Sequence, residues 1–165
     1  MNYTIAIDPG HEQSAFVQLY GDGKLPELGD YGILENAHLL RSIETWAEIA
    51  VAEFVIEFVI EKIASYGMAV GAEVFETCVW TGRFLHAIET REGKVTRIPR
   101  IDVKGQICRD SRAKDSNVRQ ALIDRYGGPS TVKKGGVLHG VSKDVWAALA
   151  VGVTYWETRH LPNLI

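Results

Sequence analysis

The sequence predicts one α/β domain whose sheet opens with antiparallel strands and continues with parallel ones. The β-rich run over residues 3–8 and the apolar run over 14–20 are followed by Gly21-Asp22-Gly23, which is typical of a hairpin turn. Segments with helical spacing then alternate with apolar runs, as in α/β proteins. The 165 residues are 46% hydrophobic, which is enough for a single core. We therefore expect one domain over residues 1–165.

The first strand is expected to end at Asp8. Pro9 lacks the N–H that a central strand needs, and Gly10 tolerates the turn that follows. Asp8 is thus presented at the rim of the sheet, where the sites of α/β folds collect. An aspartate in this place can bind a divalent metal, contact the phosphates of a nucleotide, or cap the turn. A short third strand or loop is expected over residues 24–31.

A helix and then a buried strand are predicted in the middle of the chain. Residues 36–50 carry apolar side chains at three- and four-residue steps, which predicts a helix. Residues 53–60 form a continuous β-branched and aromatic run that ends at Glu61. A strand of this kind after a helix is expected to be central and buried on both faces.

The second half is expected to contain three helices and one more strand. Residues 71–90 predict a long helix, and residues 95–103 predict a strand in which Pro99 favours an edge or a break. Asp115 or Ser116 is expected to cap a helix that the glycines at 127 and 128 end.

The last helix is expected over residues 143–158, with Ser142 as its N-cap. Its small residues, among them Ala148 and Gly152, should let it approach the sheet closely. Asp144 then lies in the first turn of this helix.

Charge is distributed unevenly along the chain. The formal net charge is −3, but residues 1–82 carry −10 and residues 83–143 carry +8. This split suggests an anionic partner on one face and carboxylates gathered for another purpose.

The cysteine content and the hydropathy of the sequence predict a cytoplasmic protein. Cys78 and Cys108 form no metal-binding motif, and we expect free thiols in a reducing compartment. The most apolar run, residues 49–63, is interrupted by glutamates, so we expect no membrane partner.

Three acids share an unusual placement. Asp8 and Glu61 each end a predicted strand, and they lie side by side if those two strands are parallel neighbours. Asp144 lies in the first turn of a helix that can pack on the same sheet. Converging carboxylates repel each other and need a counter-charge, for which a pair of Mg²⁺ or Mn²⁺ ions is the usual solution. Taken singly, Asp8 could form an Asx-turn, Glu61 could face solvent, and Asp144 could complement the helix dipole. Glu57 is the competitor of Glu61 if the strand register differs.

Several of these segments resemble one family. The run Ile7-Asp8-Pro9-Gly10 is similar to the opening motif of RuvC-type Holliday junction resolvases, within the RNase H-like superfamily. Val59-Ile60-Glu61 resembles their second acidic motif, and residues 144–154 resemble the terminal helix that begins with the third acid. Val103-Lys104 with residues 113–122 is similar to the basic segment between them. Residues 64–68 and 74–84 resemble phage-type members, which suggests a phage or prophage source.

The resemblance implies a mixed five-stranded sheet with helices on both sides. It implies metal-dependent nicking of branched DNA, such as a four-way junction, by a homodimer with two Mg²⁺ (or Mn²⁺) ions in each site. Asp8, Glu61 and Asp144 carry over as metal ligands with a catalytic role. The family usually has another acid or a histidine three residues after the third acid, but Ala147 stands there.

The missing fourth acid leaves three outcomes open. The site can work with three carboxylates, another group can replace the fourth, or the chain is catalytically impaired. His139 and Asp110 are the candidates for a replacement.

The basic second half supplies candidates for DNA contact. We expect phosphate contacts, which give affinity and salt dependence, from Lys104, Arg109, Arg112, Lys114, Arg119 and Lys143. Tyr66 and Met68, in the loop after Glu61, could stack at a junction centre or simply pack. The helix from Gly71 could supply the two-fold dimer interface, although core burial explains its apolar residues equally well.

Three other functions compete with this one. A different RNase H-like nuclease, acting on flaps or RNA–DNA hybrids, would share the acids and the metals. A nucleotide-binding domain of the actin and sugar-kinase type needs a second phosphate loop, for which Gly127-Gly128 and Gly135-Gly136 are poor candidates. A non-catalytic junction binder is kept open by Ala147.

Overall fold

The computed structural model describes residues 2–52 and 55–159. The described strands are β1 (Asn2–Asp8), β2 (Gln13–Gly21), β3 (Glu27–Glu35), β4 (Ile56–Lys62) and β5 (Lys94–Pro99). The described helices are α1 (Asn36–Ala52), α2 (Ala72–Glu89), α3 (Arg100–Cys108), α4 (Asp115–Arg125) and α5 (Val145–Thr158), with a 3₁₀ turn at Pro129–Val132.

The strands form one five-stranded sheet in the order β3-β2-β1-β4-β5. β1 is antiparallel to β2, and β2 is antiparallel to β3. β4 is parallel to both β1 and β5. The predicted fold class, a mixed sheet with an antiparallel opening and parallel strands after it, is confirmed.

The register between β1 and β4 places two of the acids together. Ile7 pairs with Ile60, so the next residues, Asp8 and Glu61, lie at the same end of neighbouring strands. Side chains alternate along a strand, so Asp8 lies on the same sheet face as Ala6. This is the face that α5 covers.

Helices cover both faces of the sheet. On one face, Ala6 of β1 and Val59 of β4 belong to the buried core that includes Leu149 of α5. On the other face, Ile7 and Ile60 belong to a second buried core with residues of α1 and α2. The sheet is therefore fixed from both sides, and Asp8 and Glu61 end its two innermost parallel strands.

The close approach of α5 to the sheet depends on Gly152. A Cβ placed on Gly152 would lie 2.5 Å from Leu19 Cδ1 and 2.9 Å from Ala6 Cβ. Real Cβ atoms do not come this close, so a side chain here would push the helix off the sheet. The expectation that small residues allow this packing is confirmed.

The structure corrects the predicted segment over residues 95–103. β5 ends at Pro99, and the helix α3 begins at Arg100. Pro99 has extended backbone angles (φ −63°, ψ 145°) and stands as the N-cap residue of α3. A proline suits this position because it lacks an N–H for the strand ladder and its φ leads into a helix.

Smaller corrections concern element ends. β3 is a full strand of nine residues, whereas a short strand or loop was expected. The N-cap residue of α4 is Lys114 rather than Asp115 or Ser116, and Asn117 Oδ1 accepts a hydrogen bond from the Lys114 backbone N–H at 3.0 Å. α5 starts at Val145 with Asp144 as its N-cap residue, whereas Ser142 was expected in that role.

The predicted strand over residues 53–60 begins later than expected. α1 extends through Ala52, and β4 begins at Ile56. Residues 53 and 54, the first two of the predicted strand, lie outside the described residues. The predicted end at Glu61 differs from the observed end by one residue.

Two observations bear on cysteine chemistry and on membranes. Cys78 is exposed and Cys108 is partly buried, and both are free cysteines, as expected. Over residues 2–52 and 55–159, no helix has both the length and the apolar character that a membrane span requires.

Candidate active site

A buried network of hydrogen bonds fixes the turn that follows Asp8. The Asn36 side-chain amide donates to the Gly10 carbonyl at 2.9 Å. The Ser14 hydroxyl donates to Asn36 Oδ1 at 2.6 Å and accepts from the Gly10 N–H at 3.0 Å. Ser14 and Asn36 are buried, so this network holds the backbone after β1 in one conformation.

Glu61 is the last residue but one of β4 and carries a buried carboxylate. Its residue is 7% exposed. The Arg100 Nη1 donates to both carboxylate oxygens, at 3.2 Å to Oε1 and 3.3 Å to Oε2. Arg100 is the first residue of α3, so the break at Pro99 is what brings its guanidinium beside Glu61.

Arg100 also joins Glu61 to a second acid, Asp115. The Arg100 Nη2 lies 2.9 Å from Asp115 Oδ1, and Lys104 Nζ lies 3.3 Å from the same oxygen. Arg100 and Lys104 are one helical turn apart on α3, and Asp115 begins α4. The two helix starts therefore form a charged cluster beside Glu61.

These groups line a cleft of about 100 Å³ between the sheet end, α3, α4 and the start of α5. Asp144, exposed at the N-terminus of α5, is part of its wall. Its charged and polar lining residues are Glu61, Arg100, Lys104, Asp115, Lys143 and Asp144.

The pKa of Asp8 responds to these charges. Burial raises the pKa of Asp8 from 3.8 to about 8, and the negative charges of Glu61 and Asp144 act in the same direction, while Arg100 opposes them. Asp8 is not among the residues that line the cleft, but the charges of Glu61 and Asp144, which do line it, act on Asp8.

The pKa values of Glu61 and Asp115, the two acids that Arg100 contacts, shift in opposite directions. Burial raises the pKa of Glu61 above its ordinary value, although the charge and hydrogen bonds of Arg100 act against it. The pKa of Asp115 is lowered, because burial is outweighed by the hydrogen bonds and charges of Arg100 and Lys104. The charge of Asp8 is thus less compensated than the charges of Glu61 and Asp115, which Arg100 contacts directly.

The donor set suits a hard divalent cation in its chemistry. Carboxylate oxygens at a buried site with excess negative charge are what Mg²⁺ and Mn²⁺ take as ligands. The side chains do not form a ready-made cage, however. Within the part of the chain that the structure describes, no three His, Cys, Asp or Glu side chains are grouped closely enough to hold one ion. Arg100 occupies the oxygens of Glu61 instead.

Neither candidate for the missing fourth ligand lines the cleft. The His139 ring lies 3.4 Å from the Val132 carbonyl oxygen, and the Asp110 carboxylate accepts the Arg112 backbone N–H at 2.9 Å. Ala147 does line the cleft and offers no donor atom. The side chain that adds a further carboxylate to the cleft is Asp115.

Glu57 lies away from the cleft. It pairs with Thr4, four residues before Asp8, which corresponds to about 13 Å along the strand. Its carboxylate lies 3.9 Å from Arg159 Nη1. The register therefore favours Glu61 over Glu57 as the acid at this end of the sheet.

The predicted DNA-contacting residues fall into two groups. Lys104 and Lys143 line the cleft itself. The guanidinium of Arg119 stacks 5.1 Å from the ring of Trp146, another cleft residue. The remaining three are exposed around the connection between α3 and α4, namely Arg109, Arg112 and Lys114.

The loop after β4 places Tyr66 and Met68 at the surface. They are 52% and 70% exposed. The Tyr66 hydroxyl accepts the Ile101 backbone N–H at 3.4 Å, so the loop lies beside the start of α3 and near the cleft. Stacking at a junction centre and packing were the two expected roles of these side chains, and their exposure argues against packing in the core.

Arg100 and Asp115 are the site residues that sequence reasoning missed. Arg100 was hidden because residues 95–103 were interpreted as a strand. The sequence did contain a usable signal: Arg100 and Lys104 have helical i, i+4 spacing directly after a proline. Asp115 was considered only as a helix cap.

Comparisons by sequence find no relative: neither a protein-family model nor a curated protein matches the chain. Comparisons of the structure with solved structures do find similar proteins. RuvC of Thermus thermophilus matches with a TM-score of 0.69 at 17% identity, covering 95% of each chain. The same protein in complex with a Holliday junction matches with a TM-score of 0.69 at 13% identity, over 94% of this chain and 93% of that one.

A viral protein shows the same likeness. The fowlpox virus resolvase in complex with Holliday junction DNA matches with a TM-score of 0.58 at 15% identity, over 96% of this chain and 99% of that one. The chain therefore has the fold of RuvC and of the fowlpox virus resolvase over almost its whole length, here a mixed five-stranded sheet flanked by helices.

Proposed function

We propose that the chain is a metal-dependent, structure-selective endodeoxyribonuclease that resolves four-way junctions or other branched DNA. The observation that carries this proposal is the parallel pairing of β1 and β4, which brings Asp8 and Glu61 to the same end of the sheet, beside a basic-rimmed cleft that Glu61 and Asp144 line. Two proteins with this fold were solved bound to Holliday junctions, which supports the choice of substrate.

In this proposal Asp8, Glu61 and Asp144 would hold the metal ions. When bound, a pair of Mg²⁺ or Mn²⁺ ions supplies Lewis-acid activation of water and neutralises charge on the leaving oxygen. The protein contributes a fixed, poorly solvated carboxylate at Asp8, because the turn after it is held by the Ser14 and Asn36 network. A site held in place before the substrate arrives costs little reorganisation during the reaction.

The basic side chains of the cleft would place the phosphodiester. Lys104 and Lys143 lie in the cleft wall together with the acids. A DNA phosphate drawn to them comes to lie against Glu61 and Asp144. The exposed arginines of the α3–α4 connection then extend the contact along the backbone, which provides affinity without base readout.

Paired nicks at a symmetric junction require two copies of the site related by a two-fold axis. The outer face of α2 offers a surface for this, since Phe75 and Val79 are 63% and 55% exposed. Met68, 70% exposed, precedes the same helix. We infer a homodimer through this face. In the structure these residues are exposed and are not buried in the core.

Free cysteines agree with the reducing cytoplasm of a bacterial host. A phage or prophage source and a cytoplasmic location are part of the same proposal.

The test is a nicking assay on a labelled four-way junction with Mg²⁺, with Mn²⁺ and with chelator. We expect cleavage by the wild type in metal and its loss in Asp8→Asn and Glu61→Gln. Glu57→Gln is the matched control, since Glu57 lies on the same strand and face as Glu61 but outside the cleft. Equal cleavage by the wild type and Asp8→Asn would refute the proposed site. Flap, duplex and hybrid substrates in the same assay identify a different nuclease specificity.

A second candidate function is junction binding without cleavage. Ala147 lacks a donor in the cleft wall, and Arg100 occupies the oxygens of Glu61, which favours this alternative. Its signature is tight, salt-dependent binding of the four-way junction with no nicking in either metal. Nicking by the wild type rejects it.

A further inference from the structure

Arg100 holds the carboxylate of Glu61 from a central position. Its Nη1 is almost equidistant from the two carboxylate oxygens, at 3.2 and 3.3 Å. This is the position between the two oxygens that a cation takes when a carboxylate binds it with both. Glu61 is only 7% exposed, so the number of directions from which a second cation can approach is small.

Arg100 has another partner that can hold it without Glu61. Its Nη2 lies 2.9 Å from Asp115 Oδ1, which is shorter than either contact to Glu61. Asp115 is also fixed by Lys104 Nζ at 3.3 Å. The guanidinium can therefore leave Glu61 by a small rotation while it stays attached to Asp115 at the wall of the cleft.

We propose that Arg100 is a positioning residue that serves as the resident counter-ion of Glu61 and yields this carboxylate to a divalent cation. This inference rests on the proposed function, because it assumes that Glu61 is a metal ligand. Arg100 keeps Glu61 ordered and neutralised in the free protein. It competes with the cation for the same oxygens, so metal affinity in the absence of DNA is set partly by Arg100.

The consequence is a gain of affinity when Arg100 is removed. Arg100→Gln eliminates a positive charge next to the buried carboxylate of Glu61. We expect Mn²⁺ to bind at least about tenfold more tightly, since a charge at this range shifts a neighbouring equilibrium by a power of ten or more. Arg100→Lys keeps the charge, so we expect an affinity within about threefold of the wild type, as a point charge repels the incoming cation as well. A residue that merely supported the fold would weaken metal binding when removed.

The experiment is a titration of Mn²⁺ into the DNA-free full chain, with free Mn²⁺ measured by electron paramagnetic resonance. The variants are the wild type, Arg100→Gln, Arg100→Lys and Asp8→Asn. Arg91→Gln is the matched control, because Arg91 also lies between two glutamates, 3.5 Å from Glu44 and 3.2 Å from Glu48, outside the cleft. Thermal unfolding of each variant without metal shows that it is folded before the titration.

The outcomes separate this inference from the proposed function. Tighter binding by Arg100→Gln, with Arg91→Gln unchanged and Asp8→Asn weakened, supports the competition. Equal or weaker binding by Arg100→Gln, in a wild type that still nicks junctions with Mn²⁺, overturns the role of Arg100 and leaves the nuclease proposal standing. Absence of Mn²⁺ binding in every variant, together with absence of nicking, overturns both.

Discussion

Substitution of Asp8 by asparagine is expected to stabilise the metal-free protein, by an amount that increases with pH. Asp8 has its pKa raised from 3.8 to about 8, first because it is buried and then because Glu61 and Asp144 lie near it. The neutral form of the carboxyl is therefore favoured in the folded state. Asparagine is neutral and similar in shape, so it removes the cost of the charge.

The sign and size of the effect follow from proton linkage. Between pH 4 and pH 8 the folded protein keeps the proton of Asp8 and the unfolded chain does not, so the stability of the wild type falls as pH rises. The full slope is about 1.4 kcal/mol per pH unit. Relaxation of the site and water entry reduce this, and we expect a gain from Asp8→Asn of about 1 kcal/mol near pH 5 that reaches about 3 kcal/mol near pH 8 and then levels off.

Urea unfolding with chelator, followed by circular dichroism from pH 5 to pH 9, measures this gain. Asp30→Asn is the matched control, because Asp30 is exposed on β3, and we expect a change below about 0.5 kcal/mol at every pH. At about 100 times its Kd, Mn²⁺ adds about 2.7 kcal/mol to the wild type, and it should add little to Asp8→Asn. Saturating Mn²⁺ should therefore cancel most of the difference between the two proteins near pH 8.

Two results would refute this reasoning. A gain from Asp8→Asn that does not vary with pH would show that the Asp8 carboxyl is not strongly desolvated in the folded state. A loss of stability at every pH would show that the carboxylate makes stabilising contacts that asparagine cannot replace.

Three further predictions concern the DNA surface and the frame of the site. Lys143→Ala should lower the slope of log K for junction binding against log salt by about 0.9, while the exposed Lys24→Ala leaves it unchanged, as gel shifts at several salt concentrations would show. Asn36→Ala should cost about 1–3 kcal/mol in urea unfolding, because it leaves the buried Ser14 and Gly10 groups without their partner; a neutral outcome would contradict the network. Gly152→Ala should cost about 1–3 kcal/mol by overpacking against β1 and β2, whereas Gly105→Ala, whose Cβ would meet nothing within 4 Å, should gain up to about 1 kcal/mol. Equal effects of the two glycine substitutions would refute the packing argument.

The part of the site built by strands could be predicted from sequence. The turn at Pro9-Gly10 and the end of the apolar run at Glu61 each fix a strand end, and parallel pairing of those strands leaves one register that buries both apolar faces. The adjacency of Asp8 and Glu61 follows directly. Side chains alternate strictly between the two faces of a strand, so a shift of one residue in the strand register would turn Asp8 to the other face of the sheet.

The part built by helix starts could not be predicted to the same accuracy. Residues 94–103 are β-branched and charged without a clear helical stripe, and only three residues of α3 separate Val103 from the proline. Tertiary packing of Val103 and Ile107 into the core decides that this segment is a helix. Arg100 reaches Glu61 only because this segment is a helix, and the local sequence signals the helix weakly, through the i, i+4 spacing of Arg100 and Lys104 after Pro99.

The arrangement of charges gives a physical reason to consider Ala147 and Arg100 together. Around the cleft, carboxylates and cations are nearly balanced in number: Asp8, Glu61, Asp115 and Asp144 against Arg100, Lys104 and Lys143. A further acid at position 147 would add repulsion to a site where Asp8 already has its pKa raised to about 8. With alanine there, one internal cation is enough to hold Glu61 in the free protein. The absence of the fourth acid is thus compatible with a site that stays folded without metal, and in the proposed function the divalent cations would supply the further positive charge.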